Sequence, residues 1–193
     1  MDLENCKSKE IYRALVNSKC DTPTGLLKYC DTYEDLSNVK TDNIYMIPRL
    51  CCKDNEIKEF QFKILHRYLP TNSLLYKMRK VISYKCTFCH LQEETILHLL
   101  YECMCVRNLW FRVQDILDRV KSTNIKLTSF DVLFGFNMCD TNEYVINNVI
   151  LHIKFYIWKS KSKFIAPNYE DMKRFMNKRK LYDSKLLDFC NNM

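Results

Sequence analysis

Apolar residues recur at helical spacing along most of the chain. This pattern predicts helices over residues 8 to 17, 56 to 69, 94 to 101, 106 to 120, 142 to 164 and 169 to 189, with shorter ones from 71 to 80 and from 130 to 134. Between residues 20 and 43 the sequence has Pro23, Gly25 and several Asp but no sustained period, which indicates a loop region with one short helix. Pro70 is expected to stop the helix before it, and Gly135 closes another. The predicted fold class is therefore mainly α.

The composition supports a folded helical chain. Its 193 residues are 47% hydrophobic and include only 2 Gly and 4 Pro, which argues against disorder, fibrous structure and the many tight turns of an all-β sandwich. We divide the chain into three segments: an N-terminal helical and loop segment (1–56), a central region (57–120) and a basic helical C-terminal segment (121–193).

Eleven cysteines first raise the question of secretion and disulfides. The N-terminal residues are charged and lack an apolar signal region, and no stretch resembles a membrane span. The cysteine count is odd and the spacings are irregular. We therefore expect a reduced intracellular chain, nuclear or cytoplasmic, that is neither secreted nor membrane-bound, in which most thiols are buried and a subset binds metal.

The formal net charge of +7 is concentrated in two blocks, residues 57–85 and 151–185. The first block contains seven Lys or Arg residues against Glu59 alone, and the second contains ten against three acidic residues. Basic blocks with aromatic residues between them are typical of proteins that bind polyanions. Solvated helix faces give the same pattern, so charge alone leaves both interpretations open.

One cysteine and histidine cluster has the spacing of a zinc site, Cys-x2-Cys-x8-His-x4-Cys, formed by Cys86, Cys89, His98 and Cys103. Four protein ligands would close the coordination sphere, so the zinc would be structural and would sit in a zinc knuckle, a short β-hairpin turn inserted between helices. The alternative is a set of buried thiols with a core histidine. His90 and Cys105 are the nearest substitutes for His98 and Cys103.

The residues around this cluster resemble the C-terminal zinc-binding region of LINE-type (non-LTR) retrotransposon reverse transcriptases. The phrases FQFKILHRYLPTN and CTFC…EETILHLLYEC…LW match in order and spacing over residues 57–112. The resemblance places the family's zinc ligands on Cys86, Cys89, His98 and Cys103. It implies one structural Zn²⁺ and a role in holding template RNA or target DNA during target-primed reverse transcription.

The resemblance does not extend to a catalytic domain. A polymerase needs a close pair of aspartates for two metal ions, and the chain has no Asp-Asp pair and no segment resembling the family's endonuclease. We therefore expect a non-catalytic protein. Its expected partners are RNA or DNA and a reverse transcriptase or endonuclease polypeptide.

The candidate nucleic-acid contacts come from both basic blocks: Lys63, Arg67, Lys77, Arg79, Lys80, Lys159, Lys161 and Lys163. Glu93 and Glu94 are assigned instead to the start of a helix, where carboxylates interact favourably with the helix dipole. A protein-interaction or scaffold module stabilised by zinc is a second hypothesis. A retrotransposon-derived remnant without a selected activity is a third.

Overall fold

The computed structural model describes residues 8–19, 24–30, 33, 41–121, 126–136 and 141–179. Within these ranges the helices are α1 (Ser8–Lys19), α2 (Thr24–Cys30), α3 (Thr41–Cys51), α4 (Asn55–Leu65), α5 (Asn72–Lys77), a π-helix (His98–Glu102), α6 (Met104–Lys121), α7 (Ser129–Phe134), α8 (Thr141–Ser162) and α9 (Tyr169–Arg179). The extended pairing among the described residues is a single isolated antiparallel bridge between Lys85 and Glu93. The mainly α prediction is confirmed. None of the described helices is both long and apolar enough to cross a bilayer.

Helix α8 forms the centre of the fold. Every residue from Ile146 to Ile157 is buried, because α3, α4, α6, α9 and the π-helix all pack around it. A helix that is covered on all sides must bury polar side chains as well as apolar ones. The polar residues that α8 buries are Asn147, Asn148, His152, Lys154 and Ser160.

The buried Lys154 amine is satisfied by two acceptors. Its Nζ donates to Gln61 Oε1 at 2.7 Å and to the Leu133 carbonyl oxygen at 3.3 Å, and Gln61 Nε2 donates to the same carbonyl at 2.8 Å. Leu133 lies in the last turn of α7, where carbonyls lack partners within the helix. Burial lowers the pKa of Lys154 to about 7. This cluster joins α4, α7 and α8 through polar contacts inside the core.

Helices α4 and α5 are each followed by an arginine with left-handed backbone. Helix α4 ends at Leu65, four residues before the predicted end at residue 69. Arg67 (φ 59°) follows its last turn, and the Tyr68 amide donates to the Lys63 carbonyl at 2.8 Å. Arg79 (φ 55°) follows α5 in the same manner. These are Schellman-type C-caps with arginine in place of the usual glycine. Tyr68 follows this cap and is 67% exposed.

Two further differences from the predicted elements lie in the N-terminal half. Helix α3, with Pro48 inside it, was not predicted. The apolar stripe expected on α1 is not buried at Tyr12 and Leu15, which are both more than half exposed. The part of the final predicted helix that follows Arg179 lies outside the described residues.

Candidate metal centre

The knuckle that carries Cys86 and Cys89 is a tight turn between two short antiparallel segments. The Cys86 amide donates to the Gln92 carbonyl at 2.8 Å, and the Glu94 amide donates to the Tyr84 carbonyl at 2.9 Å. Within the turn, the His90 amide donates to the Cys86 carbonyl at 3.0 Å, and His90 has a left-handed backbone (φ 57°). The turn therefore presents both thiols of the Cys-x2-Cys pair to the interior of the fold.

The other two residues of the cluster begin and follow the π-helix. The Cys103 amide donates to the His98 carbonyl at 2.8 Å, the i to i+5 hydrogen bond that defines a π turn. This bond draws together two residues that are five positions apart. On the N-terminal side, the His98 amide donates to Thr95 Oγ1 at 3.0 Å and so fixes the start of the turn. The wide turn therefore accounts for the x4 spacing between His98 and Cys103.

The four donor atoms form one compact cluster, with each within 4.8 Å of the others. Cys86 Sγ lies 3.8 Å from Cys103 Sγ, and Cys89 Sγ lies 3.4 Å from His98 Nε2. A tetrahedral zinc ion with Zn–S near 2.3 Å and Zn–N near 2.0 Å places two sulfurs about 3.8 Å apart, and a sulfur and a nitrogen about 3.5 Å apart. The cluster therefore fits zinc, and this arrangement supports the predicted cofactor, one Zn²⁺. His90 and Cys105 are not members of the cluster.

The thiols of Cys86 and Cys103 share a hydrogen bond that shifts their pKa values in opposite directions. This hydrogen bond, supported by the backbone amides of Cys89 and Phe88, lowers the pKa of Cys86 against the opposing effect of burial. The same hydrogen bond raises the pKa of Cys103. The two thiols therefore lose their protons as a coupled pair, and cysteine binds zinc as the thiolate.

Glu94 holds the knuckle in place, a role that the sequence did not suggest. Its side chain is fully buried, and its Oε2 accepts hydrogen bonds from the Thr87 amide and the Thr87 hydroxyl, each at 2.6 Å. Thr87 lies between Cys86 and Cys89. Glu94 Oε1 accepts from the Asn72 amide at 2.8 Å, in the first turn of α5. The carboxylate thus interacts with a helix N-terminus, as expected, but that helix is α5 and not its own.

The same carboxylate pairs with Lys161 of α8. Lys161 Nζ lies 3.3 Å from Glu94 Oε1 and 3.3 Å from Asn72 Oδ1, and its side chain is 11% exposed. Asn72 Nδ2 in turn donates to the Lys85 carbonyl at 2.8 Å. The knuckle, α5 and the end of α8 are therefore joined by one buried network. Lys161, a candidate nucleic-acid contact, lies in this network.

The structure divides the remaining candidate cations into two groups. Lys63 pairs with Glu59 at 2.7 Å, and Lys159 pairs with Glu56. The other five, namely Arg67, Lys77, Arg79, Lys80 and Lys163, are exposed and have no ion-pair partner among the described residues. Three of these five, Lys77, Arg79 and Lys80, lie close together on the segment that connects α5 to the knuckle. These three cations directly precede the zinc knuckle in the sequence.

A helical fold with a closed cluster of three thiols and one imidazole defines the chain as a zinc-binding protein. Residues 31–110 match the family model described as zinc-binding in reverse transcriptase. This part of the chain is therefore a zinc-binding domain of the reverse-transcriptase type, which confirms the resemblance at that level. The match is to a zinc-binding domain and includes no catalytic domain. No curated protein and no solved structure matches the chain.

Proposed function

We propose that the chain is a non-catalytic module in which zinc holds a basic surface for binding RNA or DNA. The observation that carries this proposal is the position of Lys77, Arg79 and Lys80, three exposed cations without an ion-pair partner among the described residues, directly before the zinc knuckle. Cations that are already neutralised by carboxylates gain little from a phosphate, whereas free cations release counterions from a nucleic acid. We call residues 77–85 the basic loop.

The basic loop also carries side chains that suit unpaired bases. Tyr76, just before it, and Tyr84 within it pack edge to face, with ring centroids 5.4 Å apart, and both are exposed. Aromatic rings beside free cations are the usual combination in proteins that bind single strands. Lys85 adds a fourth exposed cation to the loop. The resemblance to LINE-type reverse transcriptases supports template RNA or target DNA as the ligand.

A variant of the basic loop tests this proposal. Lys77→Gln, Arg79→Asn and Lys80→Gln together remove three charges, and asparagine tolerates the left-handed backbone at position 79. Fluorescence anisotropy with a labelled RNA or DNA strand over a range of salt concentrations should show weaker binding. The slope of log affinity against log salt should become shallower by about 2 to 3, since each phosphate contact contributes about 0.7 to 0.9.

A matched control removes the same number of charges elsewhere. Lys53, Lys126 and Lys178 are exposed, lie outside the basic loop and have no ion-pair partner among the described residues. Changing all three to glutamine should leave the salt slope nearly unchanged. If the control and the basic-loop variant behave alike, the binding depends only on net charge and the proposed surface is wrong.

Exposed apolar side chains on the same segment support a second candidate, a docking site for a protein partner. Met78 is exposed, Ile82 is completely exposed, and Leu91 on the knuckle is 71% exposed. A contiguous apolar surface of this kind would mark a protein interface. A reverse transcriptase or endonuclease polypeptide is the partner that the resemblance suggests. Binding to such a partner should depend weakly on salt and should be lost in Ile82→Asp, whereas nucleic-acid binding should depend on the cations.

A further inference from the structure

A groove of about 500 Å³ lies beside the metal centre. Three elements line it: α2, α5, and the turn that follows α4. Each of these elements contributes one cation to its lining: Lys28, Arg67 and Lys77. The carboxylate that lines the groove is Glu93, and its side chain is hydrogen-bonded to the Ser73 hydroxyl. Three cations against one carboxylate make the groove electrostatically complementary to an anion.

The guanidinium of Arg67 is held in position. Its Nη1 donates to the Lys28 carbonyl at 3.1 Å, and its centre lies 4.9 Å from the centroid of the Tyr29 ring. These contacts fix the side chain on one side and leave its remaining N–H groups to bind a ligand. A planar, pre-positioned guanidinium is well suited to binding phosphate through two hydrogen bonds.

Aromatic rings lie next to these cations. His66 and Tyr68 both line the groove, and their rings are nearly parallel (9°), with centroids 6.3 Å apart. Phe62, which is also exposed, lies 4.1 Å from His66 between ring centroids. The Tyr68 ring is mostly exposed and is available for stacking. Bases can stack on such a ring only when they are not paired in a duplex.

We propose that this groove binds an unpaired nucleic-acid strand, with a backbone phosphate near Arg67, Lys28 and Lys77 and a base stacked on Tyr68. The inference rests on the proposed nucleic-acid binding and adds to it a second contact surface and a preference for single strands. The volume of the groove falls within the range of about 300–1,000 Å³ that is usual for small-ligand sites. Phosphate contact and base stacking would then act together at one site.

Substitutions at Tyr68 test the stacking contact. Tyr68→Ala should weaken binding to a single-stranded RNA or DNA by roughly five- to hundredfold, the factor expected for loss of one stacked base. The salt slope should not change, because no charge is removed. Tyr68→Trp should bind as well as the wild type, since indole also stacks. Zinc content and the thermal unfolding midpoint should match the wild type in both variants, because Tyr68 is on the surface.

Lys28→Gln tests the phosphate contact. It should weaken binding and make the log–log salt slope shallower by about 0.7 to 0.9, which corresponds to one lost contact. Parallel measurements with single-stranded RNA, single-stranded DNA and a duplex of the same sequence identify the ligand. Tighter binding of RNA than of DNA indicates contacts to the 2′-hydroxyl, and equal affinity indicates a general single-strand site.

The outcomes separate this inference from the proposed function. If the basic-loop variant weakens binding but Tyr68→Ala and Lys28→Gln bind like the wild type, the groove is not the strand site and the proposed function stands. If Tyr68→Ala weakens duplex binding as much as single-strand binding, stacking on an unpaired base is wrong. If the wild type binds none of the three nucleic acids, the proposed function and the groove inference both fail.

Discussion

Replacing Glu94 by glutamine should weaken zinc binding although Glu94 is not a member of the metal cluster. The buried carboxylate accepts three hydrogen bonds, two from Thr87 and one from the Asn72 amide, and forms an ion pair with Lys161. A glutamine keeps the shape but replaces one acceptor oxygen by an NH₂ group. The NH₂ group would then face one of the N–H or O–H groups that the carboxylate accepts from. The Lys161 ammonium would also lose its counter-charge in a site that is almost fully buried.

The size of the effect follows from these contacts. Removing one partner of a buried ion pair costs about 3–5 kcal/mol, because the other charge remains buried without compensation. Part of this loss is common to the metal-free and zinc-bound protein and leaves zinc affinity unaffected. The part that acts through Thr87 changes the spacing of Cys86 and Cys89. Substitution of residues that orient metal ligands usually costs about 10- to 100-fold in affinity, and we expect Glu94→Gln to fall in this range.

Competition with a chromophoric zinc chelator measures this affinity directly. Glu93→Gln is the matched control, since Glu93 is the exposed neighbour and its contact with the Ser73 hydroxyl can be kept by the amide oxygen. The control should bind zinc like the wild type. In the double variant Glu94→Gln/Lys161→Met the stranded ammonium is gone, so stability in urea should recover in part, whereas zinc affinity should stay low because the Thr87 contacts are not restored. Unchanged zinc affinity in Glu94→Gln would refute the positioning role.

Two other predictions concern the metal and the core. Cys86→Ser should abolish stoichiometric zinc binding, measured by mass spectrometry of the purified protein. The controls Cys105→Ser and His90→Asn should each retain one zinc. Loss of zinc in either control would contradict the cluster seen in the structure. For the core, Lys154→Met should be compared with the wild type in urea at pH 7 and pH 9. The pKa of Lys154 is about 7 when folded and 10.5 in its unperturbed state, so the unfolded wild type binds more protons between these values and the wild type gains stability as pH rises. Relative to Lys154→Met, the gain should be about 2 kcal/mol from pH 7 to pH 9, because about half of the folded molecules are already deprotonated at pH 7. An equal response of both proteins would contradict the pKa shift.

The helices could be predicted from the sequence where buried apolar residues recur at helical spacing. Helix α8 was predicted nearly to its ends because its apolar residues recur over the whole helix. Helix α3 was missed because Pro48 lies inside it, although Ile44, Ile47 and Cys51 do follow a helical period. Helix α4 ends early because Arg67 has a left-handed backbone. The Arg67 side chain donates a hydrogen bond to the Lys28 carbonyl of α2. Such contacts between distant segments leave no local pattern in the sequence.

The metal site shows the same division. The spacing of Cys86, Cys89, His98 and Cys103 indicated the cluster, because a knuckle and a single turn bring these residues together locally. The Glu94 network was not predictable in this way, since its partners come from α5 and α8. A sequence shows that a glutamate lies near a helix start, but it does not show which helix N-terminus the carboxylate will approach. A signal was nevertheless present, because EETILHLLYEC in the matched phrase includes Glu94 beside the metal residues.

The separation of buried from free cations changes how the net charge of +7 should be interpreted. Lys154 and Lys161 both lie in the second basic block, residues 151–185, yet both are held inside the fold by polar contacts. Charges this deeply buried are little screened by salt and release few counterions when a polyanion binds. The salt dependence of nucleic-acid binding should therefore reflect the free cations of the basic loop and the groove. It should not reflect Lys161, which supports the knuckle, or Lys154, which joins α4, α7 and α8 in the core, although both contribute to the basic block in the sequence.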